Sequence, residues 1–392
     1  MPVSRTSSAE TPILRRSRTL LTRNPARPVI DNGAILEANG MICAVGKYGE
    51  LSQTHHARLV DEGETVLLPG LINAHTHTEL SHLRDRIQPG GGFEDWVAQL
   101  LALPARDLDT KAVSKAIDEM AAGQICAVGD ISGNNPQAMA SLWRQSDLHA
   151  LLWVEQIGFA PLPQGQPRGL PDAGATPKLR VAPAGHALYS TSPETLRQTK
   201  AWCRSHELPF SLHLAEHSGE IEFLTTGRGP FGAMLTKRLV PKSFSPPGLH
   251  PVAYADSLGL LDSSTLVVHA VHLDPGHPHL LAHRGSTVCL CPRSNDFIGV
   301  GRALWEDLDA AGVPLCLGTD SLASNWDLDL WQEAWYIAQH WSGTLTLDKL
   351  VSFMTTTPAR ILGLPRLGRL APGKRAVYAR LSLEKANRLP LA

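Results

Sequence analysis

The sequence predicts an α/β chain: a (β/α)8 TIM-type barrel with a small β-sandwich domain formed by the N- and C-terminal segments. Three observations lead there. From residue 68 onward, apolar strand-like runs alternate with helix-like segments across turns carrying Pro, Gly or Asn, which is the pattern of βα units around a parallel sheet. Eight runs read as strands: 67–75, 127–132, 150–158, 179–186, 209–216, 265–272, 287–292 and 314–320. Polar residues gather at the carboxyl ends of these runs, the mouth of such a barrel, where residues distant in sequence meet.

Taken in order, residues 1–11 read as a disordered tail. ILRRSRTLLT follows as an edge strand with exposed arginines, and ILEANGMICAVG (35–46) as its hairpin neighbour, turning at Asn39-Gly40. Residues 12–66 and 366–392 are assigned to the small β domain and 67–365 to the barrel. Helical stretches at 110–122, 193–206, 302–311 and 327–341 fall between the strands. The Pro/Gly-rich segments 167–177 and 241–251 read as loops over the mouth.

Composition narrows the function classes. The chain has 392 residues, 43% hydrophobic and 19% charged, enough for a large core. A formal net charge of -1 gives no overall electrostatic case for nucleic acid or an anionic membrane. No run of 18 apolar residues is present, so a membrane span is not expected. Six arginines and one acid in the first 28 residues superficially resemble a transit peptide, but the tail-and-strand reading accounts for them. The six cysteines lack the spacing of a disulfide framework and read as reduced, which implies a cytoplasmic protein. Cys289 and Cys291 alternate along one strand and read as core thiols.

The chemistry-bearing residues lie at the strand ends. His75 and His77 close the first apolar run, and an H-x-H pair on alternate positions points two imidazoles at one ion. His213 supplies a third imidazole and Asp320 a carboxylate that is costly at the end of a buried strand unless paired or metal-bound. A helix N-cap at that position better suits Ser321 or Ser324. This donor set suits one divalent metal, with zinc first and iron or manganese as alternatives. Glu216, three residues after His213, would reach the site through a bend at the strand end and serve as acid/base. His269 reads as the imidazole holding the attacking hydroxide, and His272 as loop support. Glu79 reads as a substrate-side or structural carboxylate, His82 as structural or rim, and His217 as exposed or behind the site. His186, Glu155, Asn295 and Trp96 are candidate substrate contacts; Phe93 and Trp96, three apart on a helix, equally suit the core.

These motifs resemble the amidohydrolase superfamily, in its subgroup of mononuclear-metal deaminases and chlorohydrolases. PGLINAHTHTELS, APAGHALYSTSPETL (182–196), LHLAEHSGEIEFL (212–224), VVHAVHLD, CPRSNDFIGVGRAL (291–304) and GTDSLASNWDLDLWQEA (318–334) follow the subgroup's order across roughly 65–365. The resemblance implies His75, His77, His213 and Asp320 as metal ligands, Glu216 as proton shuttle and His269 as the hydroxide-positioning imidazole. THTELS, FEDW (93–96), WVEQIGF (153–159) and CPRSN are similar to aminodeoxyfutalosine deaminases of menaquinone biosynthesis. That implies removal of the 6-amino group from a 5'-substituted adenosine, a purine nucleoside-like small molecule, by an enzyme of a family in which homodimers are common. The chain departs from the subgroup with GHALYS (185–190) for a PHAPYS-like stretch and R-A-V-Y (375–378) for R-A-D-L. Deamination of 5'-methylthioadenosine or S-adenosylhomocysteine, or chlorohydrolysis of a triazine, would use the same scaffold. A binuclear cyclic-amide hydrolase would need a bridging modified lysine at the fourth strand end, where His186 stands. A non-catalytic barrel would be expected to have lost ligands or the shuttle carboxylate, and all are present.

Overall fold

The computed structural model describes residues 11–172, 174 and 177–388. The expected tail up to residue 10, and part of the 167–177 loop, lie outside them. Six strands form one terminal sheet: β1 (Ile13–Leu21), β2 (Val29–Ala38), β3 (Met41–Lys47), β4 (Arg58–Asp61), β5 (Thr65–Pro69) and, from the other end of the chain, β14 (Tyr378–Ser382). The remaining eight strands form two parallel four-stranded sheets. One holds β6 (Leu71–Thr76), β7 (Ile125–Ser132), β8 (His149–Gln156) and β9 (Leu179–Gly185); the other holds β10 (Phe210–Leu214), β11 (Thr265–His269), β12 (Thr287–Leu290) and β13 (Leu315–Leu317).

The terminal sheet corrects one expectation. β1 is not an edge: it pairs antiparallel with β2 along its length, and on its other side parallel with β4 and then β5. The arginines taken for exposed edge residues have acceptors on these neighbours, Arg15 meeting Glu37 and Glu62, and Arg16 meeting Asn32 and Asp61. The Asn39-Gly40 turn does form a hairpin, joining β2 to β3, with both residues at positive φ (51° and 69°) as a primed turn requires. Tyr378, where the sequence departs from R-A-D-L, opens β14, which pairs antiparallel with β5. Pairing among the described residues yields this one six-stranded sheet and does not show the two layers of a sandwich.

The expected first strand, 67–75, is two strands broken at Gly70, the first half belonging to the terminal sheet and the second opening the parallel body. Helices cover the parallel strands. The helix Thr110–Ala122 matches its expected bounds because Asp109 caps it, accepting from the Lys111 and Ala112 amides at 2.9 and 3.1 Å. Pro193–Ser205 starts with Ser192 accepting from Thr195 N and a proline in its first turn. The two parallel sheets meet at both seams: His213 N donates to His186 O at 3.0 Å, and Asp320 N to His75 O at 3.1 Å. Gly318 sits at the second seam, where a Cβ would come within 2.7 Å of the His75 carbonyl and 2.9 Å of Cys289 Sγ.

Candidate active site

The functional side chains leave the strands where the strands stop. The expected runs 209–216, 265–272 and 314–320 end earlier as ladders, at Leu214, His269 and Leu317. Residues just there adopt left-handed backbone: Ala215 (φ 52°), His269 (75°), Ala270 (48°) and Asp320 (56°). Such conformations are strained for residues with a Cβ and persist where surrounding contacts enforce them. The Ala215 bend brings Glu216 round to the cavity that His213 lines.

Three imidazoles converge at the centre. The Nε2 atoms of His75, His77 and His213 are 3.1, 3.3 and 3.4 Å apart. Asp320 Oδ1 stands 3.7 Å from His75 Nε2 and 3.5 Å from His77 Nε2. Tetrahedral zinc with bonds of roughly 2.0–2.1 Å separates its ligand atoms by about 3.3 Å. His213 donates through Nδ1 to His186 O at 2.9 Å, which leaves its Nε2 lone pair aimed inward. Burial, with the neighbouring His75, pushes His77 down to about 3, and burial with the nearby imidazoles holds His213 well below its usual value, so these two rings are neutral near pH 7. Three imidazole nitrogens turned to one point at these distances repel each other unless a cation sits between them. The donor set therefore fits a divalent metal ion held by His75, His77, His213 and Asp320.

Asp320 is arranged for that task. Its Oδ2 accepts from the hydroxyls of Ser294 (2.6 Å) and Ser324 (2.9 Å), leaving Oδ1 toward the histidines. Burial works against its charge, but the proximity of His75 and the other imidazoles outweighs it and holds the carboxyl well below the usual range. Glu216 is the opposite case. Burial, with Asp320 and Glu220 close by, raises its carboxyl well above the usual range. Its Oε1 lies 3.5 Å from His269 Nε2. His269 Nδ1 meets Asn295 Oδ1 at 3.0 Å, and burial pushes this imidazole down to about 4. Since an amide oxygen only accepts, His269 carries its proton on Nδ1 and turns a bare Nε2 toward Glu216. Glu220 accepts from Glu216 N at 3.0 Å and fixes the bend.

A cavity of about 540 Å³ opens over this centre and is lined by His77, Glu79, Trp96, Glu155, His186, His213, Glu216, His269 and Asp320 among others. His186 meets Ser190 Oγ through Nδ1 at 2.5 Å. Glu155 Oε1 is buried with no hydrogen-bond partner, and burial, with Glu79 and Asp320 adding, pushes its carboxyl up to about 8. Trp96 walls the cavity and donates Nε1 to Ala323 O at 2.9 Å, tying its helix to the Asp320 loop. Glu79 is structural: it accepts from Ser132, Gly133, Asn134 and Asn135 and pins the loop after β7.

Two placements differ from expectation. Asn295 does not line this cavity; its side chain is turned to His269, which makes it a positioning group. His217 takes the second of its two expected places, behind the site: it is buried, stacked on Phe93 with centroids 3.6 Å apart, and its Nδ1 caps the next helix by accepting from Glu220 N. His272 supports the loop as expected, meeting Val300 O at 2.8 Å. The expected rim segment 241–251 is absent from the lining, where the helix end Arg238 and Leu239 stand instead. Sequence reading missed Glu220, and it missed that Ser294 and Ser324 donate to Asp320, having read Ser324 as a helix N-cap candidate. A serine four residues after Asp320 and a glutamate four after Glu216 were the available signals.

A model of the amidohydrolase family matches residues 66–387. The chain is 29% identical to the 5-methylthioadenosine/S-adenosylhomocysteine deaminase of Nitratidesulfovibrio vulgaris (strain DSM 19637 / Miyazaki F), over 97% of this chain and 86% of that one. It is 28% identical to the aminodeoxyfutalosine deaminase of Deinococcus radiodurans, over 79% and 77%. A similar solved structure is an adenosine deaminase from Xanthomonas campestris with bound zinc, at a TM-score of 0.80 and 24% identity over 97% and 87% of the two chains. No helix among the described residues is long and apolar enough to cross a membrane. The protein is a hydrolase acting on C–N bonds, and the chain belongs to the amidohydrolase family.

Proposed function

We propose that the protein is a metal-dependent deaminase that exchanges the 6-amino group of a 5'-substituted adenosine for oxygen and releases ammonia, with aminodeoxyfutalosine, and so menaquinone biosynthesis, as its first-choice substrate and setting. The single observation that carries the reading is the convergence of His75, His77, His213 and Asp320 beneath a buried, proton-holding Glu216. A divalent cation bound there, zinc for preference, supplies Lewis acidity that makes water a nucleophile at neutral pH. Glu216 gives a proton to ring N1, which makes C6 electrophilic. It then takes a proton from the attacking water and delivers it to the departing amine, and as ammonia leaves it recovers the remaining proton of the C6 hydroxyl, so that the 6-oxo product forms and Glu216 ends protonated, as it began. His269, oriented by Asn295, accepts from the attacking water through Nε2. His186 and Glu155 face the same cavity and hold the nucleoside.

The eight parallel strands make one closed (β/α)8 barrel in this reading, supported by the hydrogen bonds at both seams, with residues 12–66 and 366–392 as the small β domain. The second substrate reading, 5'-methylthioadenosine or S-adenosylhomocysteine, is favoured by the relative that matches 97% of the chain. The test is to incubate zinc-loaded protein with these three nucleosides, adenosine, guanine and a chlorotriazine, following ultraviolet change and ammonia. Fastest turnover of aminodeoxyfutalosine supports the first reading. Release of chloride, or of nothing with metal bound, sinks the deaminase.

A further inference from the structure

A second cavity, of about 310 Å³, shares no lining residue with the first. It lies among the strand end Leu290, the helix Pro292–Ile298, the start of the helix Trp305–Ala310, and Tyr336 of the helix Leu330–His340. Asn295 connects the two. Its Oδ1 meets Nδ1 of His269, which lines the first cavity, while Asn295 itself lines the second. The residue is only 2% exposed, yet its Nδ2 has no hydrogen-bond partner among the described residues. A buried primary amide ordinarily uses its donors as well as its acceptor.

The lining around that amide has a definite chemistry. Asp296, the next residue along the helix, is exposed and has no ion-pair partner among the described residues. Burial, with Asp296 close by, raises the Tyr336 phenol above its usual value, so it stays protonated and able to donate near pH 7. Arg302 brings no free cation, because it pairs with Glu306 and lies over the Trp305 ring, 5-carbon-wide apolar surface included, at 4.1 Å from the centroid. Leu290, Pro292, Ala303 and Trp305 are buried and apolar. The cavity therefore offers amide donors beside a carboxylate acceptor, with apolar surface around both. Its volume is near the lower end of the roughly 300–1,000 Å³ of small-molecule sites, which suits a single heterocycle.

We propose that this cavity is an effector site for a small planar heterocycle with a lactam edge, a ring carbonyl beside a ring N–H as in free oxopyrimidine and oxopurine bases. The carbonyl accepts from Asn295 Nδ2 and the N–H donates to Asp296. Occupation reaches the reaction centre through the Asn295 amide, which has two orientations. With Oδ1 toward His269, the imidazole keeps its proton on Nδ1 and a bare Nε2. Turned over, the amide presents Nδ2 to that ring, the imidazole proton sits on Nε2, and the acceptor for the attacking water is lost. A ligand carbonyl pairs only with the first orientation, so it shifts the amide toward it and raises turnover. The site itself stands apart from the deaminase reading above; its effect on turnover rests on that reading.

The test uses the zinc-loaded full chain with 1-methyluracil, which keeps one lactam N–H, and 1,3-dimethyluracil, which has none. In equilibrium dialysis 1-methyluracil should bind wild type at least about tenfold more tightly, the ratio expected for a hydrogen bond to a charged group. Asp296→Ala should abolish that preference, and Ala303→Leu, which fills the cavity, should abolish binding. With the nucleoside that turns over fastest, saturating 1-methyluracil should raise kcat by at least about twofold at unchanged KM, and Asp296→Ala should not respond. Equal binding of the two probes, or a preference that survives in Asp296→Ala, overturns the site. A rise in KM places the probe in the first cavity and overturns it as well. Asp296-dependent binding with kcat unmoved or lowered overturns the coupling through Asn295. The same binding by a protein that deaminates no nucleoside keeps the site and removes the deaminase.

Discussion

The terminal sheet and the cavity mouth handle charge in opposite ways. In the sheet, Arg15 lies between Glu37 and Glu62 at 2.8 and 2.5 Å, and Arg380 reaches Glu62 at 2.8 Å, so partners on neighbouring strands neutralise one another. In the cavity, Glu155 Oε1 has no hydrogen-bond partner, and Asp320 and Glu220 each lie close enough to disfavour charge on Glu216. Desolvated, like-charged carboxyls are poor stabilisers and good proton carriers. The sheet is built to hold, and the mouth is built to react.

The largest effect expected follows from that contrast. Glu216→Gln keeps the shape and the metal ligands but cannot move a proton, and should lower kcat by about 10²–10⁴-fold. Metal content, measured by plasma mass spectrometry on the same preparation, should stay at the wild-type level. Turnover near wild type, or loss of metal alongside turnover, would remove the proton-carrying role.

How far the sequence revealed this site depends on how local each signal is. His75 and His77 were legible because a two-residue spacing on a strand has one geometric meaning. Glu216 was legible only with a bend assumed, and the bend is at Ala215, a residue whose side chain gives no hint of positive φ. Asn295 was misread as a base contact because its partner, His269, is 26 residues away and on another strand end. β1 was read as an edge for a similar reason. These arginines look solvated until β2, carrying Glu37, and the turn after β4, carrying Glu62, are placed on either side.

Asn295→Ala should cost less than losing Glu216, about 10–100-fold in kcat, since groups that orient a reacting imidazole act at one remove. Its thermal midpoint and KM should move little. An Asn295→Asp variant that accepts from the same Nδ1 should recover part of the rate, and no recovery would argue that Asn295 only packs. In the sheet, Arg15→Met leaves Glu37 and Glu62 short of a donor and should destabilise by about 1.5–3 kcal/mol in chemical denaturation. The kcat of this variant should equal wild type. A kcat loss would mean that the sheet and the mouth are coupled.

The smallest effect separates the two regions by pH. Hydrogen bonds from Arg380 and Arg15 outweigh burial and hold Glu62 below its usual value, so its contribution is full above about 4.5 and fades as pH falls through the lower folded value. Glu220 and Glu333, pushed up to about 8 chiefly by burial, bind protons in the fold that the unfolded chain has released. Between about 4.5 and 8 the folded state therefore holds more protons at these two sites, and their effect is to lower stability as pH rises, levelling off above 8. All nine tryptophans lie between residues 96 and 341, in the parallel body, and none lies in the terminal sheet. Tryptophan fluorescence thus reads the body, and amide exchange in β1 reads the sheet. The body's thermal midpoint should fall from pH 5.5 to 8.5, and Glu220→Gln with Glu333→Gln should flatten that slope. β1 protection, corrected for intrinsic exchange, should fall only below pH 4.5, and a parallel loss in both probes on the alkaline side would show that the two regions share one charge balance.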